Sequence, residues 1–290
     1  MPKFVLLWTD VAVWLLVVAM IVYGWSVSRK PNLAANWSKV FRNGPALASS
    51  LVLVACLLLT LADSVHYRAV LPPAAGSPAG SVAYDTRVQS LLDAAMRTVV
   101  QSRESTYSRP LGFVSFTKES TEVAGTIERV APRLKFGGAH LTDPASEWAG
   151  DVARRVATGA VLGAVAAVAL SLLLLLLVAR ARHEALGVTM GKVRRNETPV
   201  PWATACWTLL GIALPTGAVI ALMGHYHVFG TDITGNDVLY QTLKSIRTAF
   251  VIGTLATLAT LPLAVVLGIM AGYMKGWVDE LIQYLYTVLS

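Results

Sequence analysis

Charge is scarce in this sequence. Asp, Glu, Lys and Arg make up 14% of its 290 residues, against about 25% in an ordinary soluble domain, which excludes a single water-soluble globule. Cysteine is scarcer still. Cys56 and Cys206 both lie inside apolar runs, so neither a disulfide framework nor a Cys-x-x-Cys metal site is available, and both read as small hydrophobes. The chain carries no phosphate loop of the Gly-x-x-x-x-Gly-Lys type, no His-Glu-x-x-His and no Gly-x-Ser-x-Gly. ATP hydrolysis, zinc proteolysis and serine-esterase chemistry therefore have no carrier. No catalytic residue, metal site or cofactor is expected, and the chain does not read as an enzyme.

What the sequence has in excess is apolar length, with 55% hydrophobic residues. A membrane helix needs about 20 mostly apolar residues to cross roughly 30 Å of hydrocarbon. Five stretches qualify, near Phe4–Trp25, Phe41–Ala62, Val156–Ala179, Trp202–Met223 and Thr248–Met274, and a sixth opens at Leu281. The N-terminal run is too long for a typical signal peptide and is followed by no small-x-small cleavage site, so it reads as a retained anchor. The net charge of +7 is not gathered into one stripe, as nucleic acid would require. It lies beside the apolar runs, where bases set membrane orientation.

Residues 26–45 carry Arg29, Lys30, Lys39 and Arg42 with no acid, and 180–200 carry five Arg or Lys against Glu184 and Glu197. Both loops are expected on the cytoplasmic side. Five spans then put the N-terminus, 63–155 and 224–247 outside, and Lys275–Glu280 inside. The reading is an all-α polytopic membrane protein of about five transmembrane helices plus a partial sixth. A small α or α+β extracytoplasmic domain stands between spans 2 and 3. The divisions expected are 1–62 (two spans), 63–155 (periplasmic domain), 156–201 (third span and cytoplasmic loop) and 202–290.

Within 63–155, "LPPAAGSPAGS" reads as a flexible linker, and "TRVQSLLDAAMRTVV" spaces its apolar residues as a helix does. "FVSFT" and "EVAGTIERVA" fit short strands or a strand and a helix, and the pattern leaves both open. "TDPASEWAGDVARR" has a helix-start signature and is expected to run straight into the third span. Asp10 is a carboxylate inside an apolar run, a functional hypothesis by default; its place near the start of the run favours a hydrated position at the outer interface over a proton relay. His225 and His227 read as interfacial histidines rather than metal ligands. Pro262 reads as a kink tolerated by neighbouring helices.

The segment "FGTDITGNDVLYQTLKSIRTAFVIG" (229–253) is a polar collar before the fifth span. Gly230, Gly235 and Asn236 supply turns, Thr234 or Asn236 is placed to cap a helix, and Asp232 and Asp237 are expected to fix the turn and the helix start by accepting backbone N–H bonds. Val238, Leu239, Thr242, Leu243 and Ile246 share one face of that helix, with Gln241, Lys244, Ser245 and Arg247 elsewhere. A separate amphipathic helix lying at the outer surface is expected.

Residues 225–290 resemble the permease subunits of dipeptide, oligopeptide and nickel ABC importers, most closely the C-type subunit. Gly230, Thr231, Asp232, Gly235, Asp237 and Arg247 match the family's periplasmic Gly-Thr-Asp segment. Gly276, Trp277 and Asp279 match its cytoplasmic Gly-Trp-x-Asp turn. Asn236 departs from the family's Arg. The resemblance implies a periplasmic docking and gating role for the first group. It also implies a second permease subunit, cytoplasmic ATP-binding subunits, a periplasmic substrate-binding protein and membrane lipid as partners, in the bacterial inner membrane, with no nucleic acid. "RHEALGVTMGKVRR" (181–195) imitates the start of the family's ATPase-docking loop, but its glycine falls one place late and it reads as a decoy. Leu281–Ser290 is too short to cross a bilayer, so a missing C-terminal half of the permease is expected. The alternative reading is a membrane-anchored sensor or scaffold with a ligand-binding ectodomain at 63–155.

Overall fold

The computed structural model describes residues 3–71, 83–123, 126–274 and 276–289. The linker reading of 71–81 falls mostly outside these residues. The order is β1 (Lys3–Val5), α1 (Trp8–Arg29), α2 (Pro31–Phe41), α3 (Gly44–Ser64), β2 (His66–Arg68), β3 (Gln89–Ser90), α4 (Leu91–Ala95) and α5 (Arg97–Gln101). There follow β4 (Glu119–Val123), β5 (Thr126–Val130), α6 (Pro144–Ala181), α7 (Leu186–Arg194), α8 (Trp202–Leu222), α9 (Val238–Tyr273) and α10 (Trp277–Leu289).

Among the described residues, α1, α3, α6, α8 and α9 are the five helices long and apolar enough to cross a membrane. The protein is an all-α polytopic membrane protein. Two of these helices greatly exceed what a bilayer needs. At 1.5 Å per residue, the 38 residues of α6 and the 36 of α9 span about 57 and about 54 Å, against roughly 30 Å of hydrocarbon. Their polar first turns, Pro144–Arg155 and Val238–Arg247, stand clear of the apolar lengths and carry the polar part of the protein.

Helix α6 starts where its sequence says it should. Asp143 caps α6 by accepting from the Ala145 N–H at 3.2 Å, and Glu147 reaches back to the N–H groups of Thr142 and Asp143 at 3.0 and 3.2 Å. These satisfy donors the helix end leaves free. α6 then packs on α8 with almost no side chain between them. A Cβ on Gly217 would lie 2.3 Å from the Gly159 carbonyl oxygen, and one on Gly163 would lie 2.2 Å from that of Ala213. Small residues at four-residue spacing let two backbones touch, the way membrane helices gain packing contacts when lipid removes the hydrophobic drive between them.

The polar part has little regular structure. β1, β2 and β3 form a three-stranded antiparallel sheet, with Lys3–Val5 running against His66–Arg68 and His66–Tyr67 against Gln89–Ser90. "EVAGTIERVA" resolves as strands β4 and β5 of a two-stranded sheet. The helix expected over 88–99 is broken at Met96 into α4 and α5. Two apolar clusters hold this part to the membrane helices. One is Leu141, Leu222, Tyr226, Val228 and Leu239; the other is Leu92, Met96 and Val99, and Leu243 packs against both.

The expected separate amphipathic helix is corrected: Val238–Tyr273 is one continuous helix. Its polar face needs no change of direction, because it is bonded to the polar domain instead of resting on a membrane surface.

Candidate functional site

The collar is a set of tight turns whose carboxylates are spent on backbone. Asp232 Oδ1 accepts from the Thr234 and Asn236 N–H groups, both at 2.9 Å, and its Oδ2 accepts from Gln241 Nε2 at 2.6 Å. Burial raises the Asp232 pKa, but the bonds from Gln241, Thr234 and Asn236 outweigh it and hold the group at about 2. Asp237 caps α9, its Oδ1 accepting from the Leu239 and Tyr240 N–H groups at 2.8 and 3.3 Å. The cap is therefore Asp237, not Thr234 or Asn236. Those two residues lie in the turn that precedes it, where Asn236 N–H serves Asp232.

The polar domain closes over this collar. The Glu104 N–H donates to the Gly235 carbonyl at 3.0 Å, Arg103 Nε donates to the Thr234 carbonyl at 2.9 Å, and Thr231 Oγ1 donates to the Thr106 carbonyl at 2.8 Å. Gly230 and Gly235 take φ of +76° and +78°, and a Cβ on either would meet the Ser108 or Glu104 carbonyl oxygen at 2.3 or 1.9 Å. Glycine is required twice over, for the left-handed turn and for the approach of a second backbone.

Beneath the turns, His227 is buried between two carboxylates. Its Nδ1 lies 2.7 Å from Asp237 Oδ2 and its Nε2 lies 3.3 Å from Glu104 Oε1. Ionised carboxylates only accept, so both ring nitrogens act as donors and the ring is an imidazolium. Burial works against that charge, yet the bonds to Asp237 and Glu104 prevail and raise the His227 pKa to about 9. Glu104 also accepts from the N–H groups of Lys135, Phe136 and Gly137 at 2.8, 2.8 and 3.1 Å. Its own burial raises its pKa, but His227 and these N–H groups bring it down to about 2. The interfacial reading of His227 is thus corrected. The reason is Glu104, which is 123 residues away in the chain.

A further carboxylate, Asp151, ties α6 to Tyr226 just ahead of the collar. Asp151 accepts from Tyr226 Oη at 2.9 Å and from Arg154 and Arg155 at 2.7 Å each, and it lies 2.7 Å from His140 Nε2. The His225 ring lies 5.1 Å from that of His140, tilted by 42°, and burial, with Arg155 and His140 nearby, lowers its pKa. No group of three or more His, Cys, Asp or Glu side chains among the described residues is arranged to hold a metal ion.

Of the residues singled out from sequence, Gly230, Thr231, Asp232, Gly235 and Asp237 come together in the collar. Arg247, about two and a half turns further along α9, is bonded to Asp10 and to Thr9 Oγ1. The hydrated placement of Asp10 is corrected, because its side chain is fully buried. Gly276, Trp277 and Asp279 lie at the opposite end of α9. Gly276 turns with φ +105°, Trp277 is exposed, and Asp279 accepts from Gln283 at 3.1 Å in the first turn of α10.

With this geometry, the chain is similar to two bacterial transport proteins. It is 29% identical over 76 residues to the oligopeptide transport system permease protein OppC of Mycobacterium tuberculosis, covering 26% of this chain and 26% of the relative. It is 28% identical over 92 residues to OppC of Haemophilus influenzae, covering 32% of this chain and 27% of the relative. The matched part thus spans about a quarter of these relatives' length. No family model and no solved structure matches the chain. Both relatives are named as permease proteins of an oligopeptide transport system, and the five apolar helices of this chain are each long enough to cross a membrane.

Proposed function

We propose that the protein is a permease component of an ABC importer for peptides or similar small solutes. On this reading 202–290 is the N-terminal part of a permease domain and 63–155 is a periplasmic domain built onto its collar. The observation that carries the reading is the Gly-Thr-Asp turn seated on the N-terminus of α9, a helix that then runs on as an uncharged membrane span. Such a collar is placed to transmit the docking of a periplasmic binding protein to a helix lining the solute path. The energy comes from separate cytoplasmic ATP-binding subunits, and a second permease subunit completes the path. The likeness to OppC supports this assignment, and the positive loops support its orientation.

Orientation is tested first. With both native cysteines replaced, Ser105→Cys is expected to react with an impermeant thiol reagent in intact cells and Asn196→Cys to react only after the cells are opened. The reverse pattern overturns the assignment. Function is tested by assembling the full chain with a second permease subunit, ATP-binding subunits and a periplasmic binding protein of an oligopeptide importer and measuring peptide uptake in vesicles. Uptake that depends on ATP and on this chain is the expected result. Undiminished uptake when this chain is omitted would sink the proposal.

A further inference from the structure

Three polar residues on successive turns of α9, Tyr240, Lys244 and Arg247, fall on one face of the helix. All three bind to acids from elements that precede the collar by well over a hundred residues. Tyr240 Oη donates to Asp93 Oδ1 at 2.7 Å, and Lys244 Nζ pairs with the same oxygen at 2.9 Å. Arg247 binds Asp10 of α1, and its other terminal nitrogen stands 3.7 Å from Asp63 of α3. Asp10 in turn accepts from the Leu7 N–H at 3.0 Å and sits 2.9 Å from His66 Nδ1 on β2. Asp10 and Asp63 are 0% and 2% exposed, so the Arg247 contacts are not the screened surface pairs that contribute little.

We propose that the two N-terminal spans act as a built-in restraint on α9, with Asp10 as the positioning residue that holds Arg247. Two observations separate this from ordinary packing. Among the described residues, the buried residue of α9 is Leu239 in its first turn, and none in its apolar window is buried. The first turns of α9 are therefore where this chain grips the helix. The grip is also incomplete: Asp63 Oδ1 and Arg247 Nε are buried without a hydrogen-bond partner. A network with unmet donors and acceptors holds at less than its full strength, which suits a contact that must let go. The restraint goes beyond the transport reading, since it concerns the freedom of one helix and holds whatever is carried.

The test reads that freedom directly. In the full chain, with Cys56 and Cys206 changed to Ala, Leu243→Cys reports from beneath the polar domain and Ala205→Cys reports from α8, which is remote from the cluster. The probe is a polar maleimide applied to the purified protein in detergent. Asp10→Asn is expected to speed labelling at the first reporter by about tenfold, the factor for losing one charge-assisted hydrogen bond that holds a local opening shut. Asp10→Glu should return the rate toward the parent, and the second reporter should not respond. Asp63→Asn removes the charge that the second span sets beside Arg247 and should speed labelling about threefold, which keeps the test alive if Asp10→Asn does not accumulate. Unchanged labelling at Leu243→Cys in these variants overturns the restraint. So does an equal rise at both reporters, which would mean general loosening.

Discussion

His227→Ala is expected to destabilise the collar by about 3–5 kcal/mol, the range for removing one member of a buried ion pair and leaving its partners charged. Glu104 and Asp237 would face each other across an empty site with only backbone N–H groups for relief. The loss should appear as a lower unfolding midpoint of the detergent-solubilised protein. His227→Gln, which keeps donors but no charge, should fall between the two. A midpoint within a degree or so of the parent would show that the imidazolium contributes nothing.

The same site fixes a pH dependence. His227 has a folded pKa of about 9 against an ordinary 6.5, so its contribution is complete below about pH 6.5 and is lost as pH rises through 9. Glu104, at about 2 against 4.5, contributes fully above about 4.5 and loses its share as pH falls through 2. The parent midpoint should therefore decline between pH 7 and 10, and His227→Ala should lack that decline.

Gly235→Val is expected to be the most damaging single change in the collar itself. Its Cβ would sit 1.9 Å from the Glu104 carbonyl oxygen at a φ of +78°, which a β-branched residue adopts only with strain. Relieving the clash means parting residues 103–104 from the turn, with loss of the Glu104 N–H to Gly235 and Arg103 to Thr234 bonds. We expect at least about 3 kcal/mol, since overpacking alone costs about 1–3 and buried backbone groups are left unpaired. Limited proteolysis should cut the polar domain between 101 and 118 far faster than in the parent. Cutting at the parent's rate would mean that the domain does not bear on the collar.

The spans were legible in the sequence because lipid imposes one constraint on every residue of a long run, and that constraint survives averaging. The capped start of α6 at Asp143–Pro144 and the turn-forming role of Asp232 were legible for a similar reason, as both act within a few residues. What escaped was long-range. Nothing near His227 announces Glu104, and nothing near Arg247 announces Asp10, which is 237 residues distant. A charged residue whose partner is far away in the chain looks the same as one facing water. The amphipathic face of α9 was misassigned to a membrane surface for that reason.

The length of α9 has a mechanical consequence. Pro262 lies inside the helix, where a missing N–H and a crowded ring make bending easiest. From there to Val238 is a stiff arm of about 36 Å. A bend of about 10° at Pro262 would swing its tip by about 6 Å over that length, more than the width of one side-chain contact. Tyr240, Lys244 and Arg247 sit within the last few turns of the arm, where a given holding force exerts its greatest torque about the proline. A few modest bonds at the tip can thus oppose a bend that would take far larger forces to resist near the fulcrum.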